Sequence, residues 1–85
     1  MKVFMYTLST CPWCRKTKQF FKDHNVKFDF VDYDLAGEDE QEKILEEMSK
    51  RSSNTAFPFV MIGEEIVVGY NPERFSELLD KGRNK

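Results

Sequence analysis

Cysteine is scarce in this chain: 85 residues contain two, Cys11 and Cys14. A secreted domain stapled by disulfides normally carries more, spread out to close long loops. A bond between cysteines three positions apart restrains the unfolded chain very little, so a chemical role outweighs a structural one. Histidine is scarcer, with His24 alone. A zinc or iron–sulfur site takes four ligands, and this chain cannot supply them from its thiols and imidazole. His24 also falls about three helical turns beyond the cysteines, roughly 15 Å away. There is no surplus of positive charge: 13 basic residues against 15 acidic ones leave a net charge of −2, which excludes the electrostatic footprint of a nucleic-acid binder. No long hydrophobic run exists either. The longest, Phe57 to Ile62, includes Pro58 and is far short of the ~20 residues that cross a bilayer. Near the start, Lys2 is followed by only Val3 to Tyr6 before Thr7, where a secretory segment needs roughly 7–15 apolar residues. A soluble, cytoplasmic protein without nucleic-acid or membrane partners is expected.

Hydrophobic residues make up 40% of the chain, with eight Phe among the aromatics, which is enough for the core of a single domain over residues 1–85. No repeat, low-complexity tract or linker interrupts it. Lys2–Thr7 suits a strand buried on both faces. Pro12 opens a helix running to about His24, with Cys14, Thr17, Phe21 and His24 on neighbouring faces and Asn25 as its stop. Lys27–Tyr33 predicts a second strand, Asp34–Gly37 a turn, and Glu38–Ser49 a helix with Ile44, Leu45 and Met48 inward. Acidic residues crowd that helix's first turn, where the dipole favours them. After a Ser52–Thr55 loop, Phe59–Ile62 and Glu65–Val68 form a hairpin around Gly63-Glu64. Asn71 caps a last helix with Pro72 at its first position and Phe75, Leu78 and Leu79 inward. The tail from Lys81 to Lys85 is expected to fray. The order β-α-β-α-β-β-α predicts an α/β fold: a right-handed parallel crossover, then two antiparallel strands, in a four-stranded mixed sheet with helices on both faces.

Cys11 enters the first helix, where unpaired N–H groups and the positive dipole end favour a thiolate. Free cysteine ionises near a pKa of about 8.5, leaving ~3% thiolate at pH 7. In Cys-X-X-Cys turns at helix starts the value falls to ~3.5–7.5. Arg15, Lys16 and Lys18 add positive charge nearby, with modest help after screening. Cys14, one turn on, falls within bonding reach but deeper, more shielded and less ionised. The asymmetry predicts attack by Cys11 on a disulfide and resolution by Cys14. Pro12 stiffens the turn and is expected to make the pair less reducing than a flexible one. Haem attachment is excluded because Arg15, not His, follows Cys14. Two inert buried cysteines and an iron–sulfur centre shared between two chains are the alternatives.

The run Tyr6-Thr7-Leu8-Ser9-Thr10-Cys11-Pro12-Trp13-Cys14, followed by a basic helix, resembles the glutaredoxins. So do Phe57-Pro58 ahead of a short strand, where they have Thr-Val-Pro, and Gly69-Tyr70-Asn71 at their Gly-Gly motif. The similarity covers essentially the whole chain. It implies a thioredoxin fold, Cys11 as nucleophile, Cys14 as resolving thiol, and a cis Phe57-Pro58 peptide facing them. The backbone of Phe57 would then be free to pair with an extended substrate, with Pro12, Trp13, Pro58, Gly69, Tyr70 and Asn71 as further substrate contacts. It implies no tightly bound cofactor and glutathione as a candidate co-substrate. Yet Leu8 replaces a glutathione-binding Lys, Ala56 replaces Thr, Val68 replaces the first Gly, and Pro72 stands at an acidic position. Such substitutions occur in redoxins that draw electrons from a reductase and pass them to ribonucleotide reductase. Disulfide-containing proteins are therefore the expected partners, glutathione or a reductase the donor, and a monomer the expected state. A homodimeric iron–sulfur carrier using Cys11 of each chain is the rival, disfavoured by Pro12 and the bulky Trp13.

Among the remaining residues, Trp13 is expected partly exposed beside the reactive sulfur, rather than buried in the first helix. Tyr70 has the same standing. His24 reads as a helix-end residue, and Arg51 as a solvated charge. Phe4, Phe20, Phe21, Phe28, Phe30, Phe59 and Phe75 read as core.

Overall fold

Alternation along Val3–Thr7 (β1) sends Val3, Met5 and Thr7 into one buried layer and leaves Phe4 and Tyr6 half-buried on the other. In the computed structural model, which describes residues 2–83, β1 is one of the two central strands. It pairs in parallel with β2 (Asp29–Asp32), Phe4 opposite Asp29 and Thr7 opposite Asp32. On its other side it runs antiparallel to β3 (Phe59–Ile62), which forms a hairpin with β4 (Glu65–Val68). The strand order is β2-β1-β3-β4. Three helices, α1 (Pro12–Asp23), α2 (Glu38–Arg51) and α3 (Pro72–Arg83), complete the expected order, with a short 3-10 turn at Tyr33–Leu35.

The two sheet faces carry separate cores. Phe21 of α1 and Phe75, Leu78 and Leu79 of α3 pack with Val3, Met5, Val60, Ile62 and Val67. Ile44 and Met48 of α2 pack with Phe59 and Met61 on the opposite face, flanked by Phe4, Tyr6 and Phe57. The sign of each residue's position along β3 thus decides which helix it meets.

Local chemistry explains the boundaries. Pro12 takes the first position of α1, where its missing N–H is not needed. At the other end Asn25 has φ +56, a conformation asparagine tolerates. It lets Val26 N–H bond the Phe21 carbonyl at 2.9 Å and close the helix. α2 runs two residues past the expected Ser49. Lys50 and Arg51 sit in its last turn, where the dipole favours cations, and pair with Glu46 and Glu47 one turn back. Arg51 is thus a surface charge, as expected. Helix α3 reaches Arg83, so residues 81–83 continue the helix rather than fray; positions 84 and 85 of the expected frayed tail lie outside the described residues.

Two expected core positions are corrected. Phe30 is 45% exposed, because β2 is the edge strand and is shorter than expected. Leu45 is 40% exposed, being about 100° around the helix from Ile44.

Candidate functional site

The site grows from the end of β1 and the start of α1. Cys11 is the N-cap residue of α1, with extended backbone angles (φ −82, ψ 119) and no side-chain cap bond. Its own N–H bonds the Leu8 carbonyl at 3.2 Å, which fixes the turn and leaves the sulfur at the helix mouth. Partial burial pushes the Cys11 thiol up. Hydrogen bonds from the Cys14 N–H, the Cys14 thiol and the Trp13 N–H outweigh that and bring it below the ordinary thiol value. The lowering expected from Lys16 and Lys18 is not what does this. Lys16 sits 4.7 Å from the Trp13 ring centroid, and Lys18 pairs with Asp32 at 3.2 Å.

Cys14 is fully buried and accepts the Leu8 N–H at 3.4 Å. Burial pushes its thiol up to about 11, and the Leu8 N–H opposes this. The hydrogen bond to Cys11 and the charge of Cys11 add to the rise, while Lys18 pulls downward. The two thiols are both free. One donates to the other, so the pair can hold one proton between them and expose one thiolate.

A groove of about 240 Å³ lies beside this turn, lined by Trp13, Phe57, Pro58, Gly69 and Tyr70. Five of the expected contacts therefore meet at one place. Trp13 is 54% exposed and stacks on Tyr70 with ring centroids 5.9 Å apart. Tyr70 is anchored in turn edge-on to buried Phe75. Phe57 packs against Tyr33 at 5.2 Å, and the Phe57-Pro58 peptide is cis. The Pro58 carbonyl accepts the Gly69 N–H at 2.8 Å, whereas Phe57 makes no backbone hydrogen bond among the described residues. Gly69 has φ +91 with open space where a Cβ would be, so backbone conformation and not crowding calls for glycine there.

Two expected contacts sit elsewhere. Pro12 is exposed at the helix start and does not line the groove. Asn71 is occupied: its Oδ1 accepts the Arg74 N–H at 3.1 Å and caps α3. His24 hydrogen-bonds the Phe20 carbonyl through Nδ1 at 2.9 Å and stacks on that ring, at the far end of α1 from Cys11. Among the described residues no cluster of three or more His, Cys, Asp or Glu could hold a metal ion.

Sequence reasoning missed a polar set under the turn. Buried Thr7 donates its hydroxyl to Asp32, which also holds Lys18. The Ser9 N–H and hydroxyl donate to Asp34, and those bonds draw the Asp34 carboxyl below its usual range. Pairing of Thr7 with Asp32 depends on the β1–β2 register, which no local pattern announces.

The glutaredoxin family model matches residues 3–67. A glutaredoxin-like 8.6 kDa protein of the rubredoxin operon of Clostridium pasteurianum is 39% identical over 77 residues, covering 91% of this chain and 96% of that protein. The crystal structure of glutaredoxin grx-1 from Archaeoglobus fulgidus superposes with a TM-score of 0.86 at 37% identity, covering 92% of this chain and 85% of that one. Methanoredoxin of Methanosarcina acetivorans gives 0.85 at 35% identity, over 92% and 83% of the two chains. This chain belongs to the glutaredoxin family and has its thioredoxin fold. Family and fold support thiol–disulfide oxidoreductase chemistry.

Proposed function

We propose that this protein is a dithiol–disulfide oxidoreductase in which Cys11 attacks and Cys14 resolves. The observation that carries the reading is the opposed state of two thiols on one helical turn, Cys11 lowered and Cys14 raised to about 11. Cys11 Sγ, as thiolate, bonds one sulfur of the substrate disulfide, and the other sulfur leaves with the electron pair and takes a proton from solvent. Cys14 Sγ then bonds Cys11 Sγ and the mixed disulfide breaks, so the substrate is reduced by two electrons and the pair is oxidised. Restoring the dithiol takes a donor of two electrons and two protons.

The groove supports an extended segment of a protein as substrate. The unpaired backbone of Phe57 offers β-type hydrogen bonds, and the Trp13–Tyr70 stack offers a flat apolar contact. A reductase protein fits the same groove better than glutathione, whose carboxylates would find Leu8 where a cation is wanted and Asn71 engaged as a cap. In this reading the protein works as a single-domain monomer in the cytoplasm, with ribonucleotide reductase a candidate acceptor.

Cys11→Ser is expected to abolish reduction of insulin disulfides, and Cys14→Ser to accumulate a mixed disulfide detectable by intact mass. Substantial insulin reduction by Cys11→Ser would overturn the assignment of the nucleophile.

A further inference from the structure

An ion pair lies beneath the active-site turn, away from the groove. Lys18 follows Cys14 by four residues on α1, one turn along the same face. Its ammonium is 3.2 Å from Asp32 Oδ1 and 3.8 Å from the centroid of the Phe30 ring. Asp32 is fixed in turn by the buried Thr7 hydroxyl. A lysine normally carries its charge into water on a mobile stem. This one is gripped by a carboxylate and an aromatic face, with 19% of its side chain exposed against 15% for Asp32. A single pair near the surface contributes little to stability, so stability alone is a poor reason for the arrangement.

We propose that Lys18, held by Asp32 and Phe30, is a positioning residue for the second half of the exchange, where its charge favours the Cys14 sulfur as thiolate during attack on Cys11. The inference rests on the reading of Cys11 as attacking and Cys14 as resolving thiol. In that step the Cys14 proton leaves to solvent, a Cys14–Cys11 bond forms and the Cys11–substrate bond breaks. The substrate sulfur departs with the electron pair and is protonated by solvent. In the free dithiol, burial raises the Cys14 thiol, the Leu8 N–H opposes this, Cys11 raises it further through hydrogen bond and charge, and Lys18 opposes. Once Cys11 is bonded to substrate it carries no charge, and both of its contributions vanish. Burial then stands against the Leu8 N–H and Lys18, and Lys18 is the ionic group acting on Cys14 among the described residues. Lys18 itself faces Asp32 at the end of β2 and, at longer range, Asp34 in the 3-10 turn. The contact with Asp32 holds the ammonium in place.

Reaction of the reduced protein with dithiobis-nitrobenzoate reads the two halves apart. The first coloured thiolate is released by Cys11 attack and the second by Cys14 resolution. In Lys18→Met the first phase is expected to match the parent. The second phase should slow about three- to tenfold near neutral pH and move its pH dependence upward, as expected for loss of one nearby, partly screened charge. Lys18→Arg, which keeps the charge, should restore the second phase to within about twofold of the parent. An unchanged second phase in Lys18→Met overturns the inference, and so does equal slowing of both phases, which would mark a merely structural role. Cys14→Ser serves as the separate control: a second phase that survives it sinks the resolving assignment of Cys14 rather than the role of Lys18.

Discussion

Cys11 and Cys14 are one turn apart and hold their protons with opposite strength, because one sits at the mouth of a helix and the other inside it. The difference bears on folding as well as reactivity. The Cys14 thiol lies at about 11 in the folded chain against an ordinary value of 9.0. Between those values the native protein keeps a proton that the unfolded chain releases. Stability is therefore fully present below the ordinary thiol value and is lost as pH rises toward about 11. The lowered Cys11 acts in the other direction, its contribution being lost as pH falls through its folded value. We expect the melting temperature of the reduced protein to decline across the alkaline window, and Cys14→Ala to flatten that decline. An alkaline slope identical in parent and Cys14→Ala would contradict the burial of this thiol. The Cys-Pro-Trp-Cys turn was legible in the sequence because its chemistry is contiguous: proline, helix start and sulfur spacing lie within four positions. Thr7, Lys18 and Asp32 were not legible as a set. Thr7 and Asp32 are 25 positions apart and meet only through strand register. Phe30 misled for the same reason, since an aromatic residue in a strand pattern looks buried until the strand proves to be an edge whose ring faces an ammonium.

At the scale of elements, each helix was readable from its ends. Proline opens α1 and α3, acids crowd the start of α2, and Asn25 stops α1 in the left-handed conformation. Where α2 runs two residues past its expected end, the Glu46–Lys50 and Glu47–Arg51 pairs span its last turn. The cap of α3 has a consequence for the groove. Asn71 follows Gly69 and Tyr70 directly, so the bond from Arg74 N–H to Asn71 Oδ1 anchors the C-terminal wall as well as the helix. Asn71→Ala is expected to destabilise the protein by about 1 kcal/mol in urea unfolding, while Asn71→Asp, which keeps an accepting oxygen, should cost about half of that or less. Equal losses for both variants would mean that the side chain acts through something other than the cap. Phe21→Ala, by contrast, empties the layer that α1, α3 and β1 share. A loss of about 3–5 kcal/mol is expected there.

For the whole molecule, the order of elements implied the layers, since a parallel crossover followed by a hairpin leaves few ways to build one sheet. The functional consequence of that sheet is that β1, β3 and the start of α3 deliver their ends to one side. Trp13 of the cysteine turn, the Phe57-Pro58 peptide and the Gly69-Tyr70 segment converge although they are far apart in the chain. What the convergence lacks is charge. The groove lining is apolar apart from backbone and the Tyr70 hydroxyl, Leu8 and Ala56 flank it in sequence, and the Lys16 ammonium is stacked on the Trp13 ring. A tripeptide donor with two carboxylates would have to desolvate them against this surface with few partners, which is unfavourable. A reductase presenting an apolar loop would bury the Trp13–Tyr70 platform instead, and aromatic anchors of that kind dominate protein interfaces. Insulin reduction should therefore turn over faster with NADPH and a thioredoxin-type reductase than with glutathione and its reductase. Trp13→Ala should raise KM for the reductase at least several-fold while leaving the rate with a small disulfide within about twofold, as removal of a contact outside the reacting atoms predicts. Equal or faster turnover with glutathione, in the parent protein, would reverse the assignment of donor.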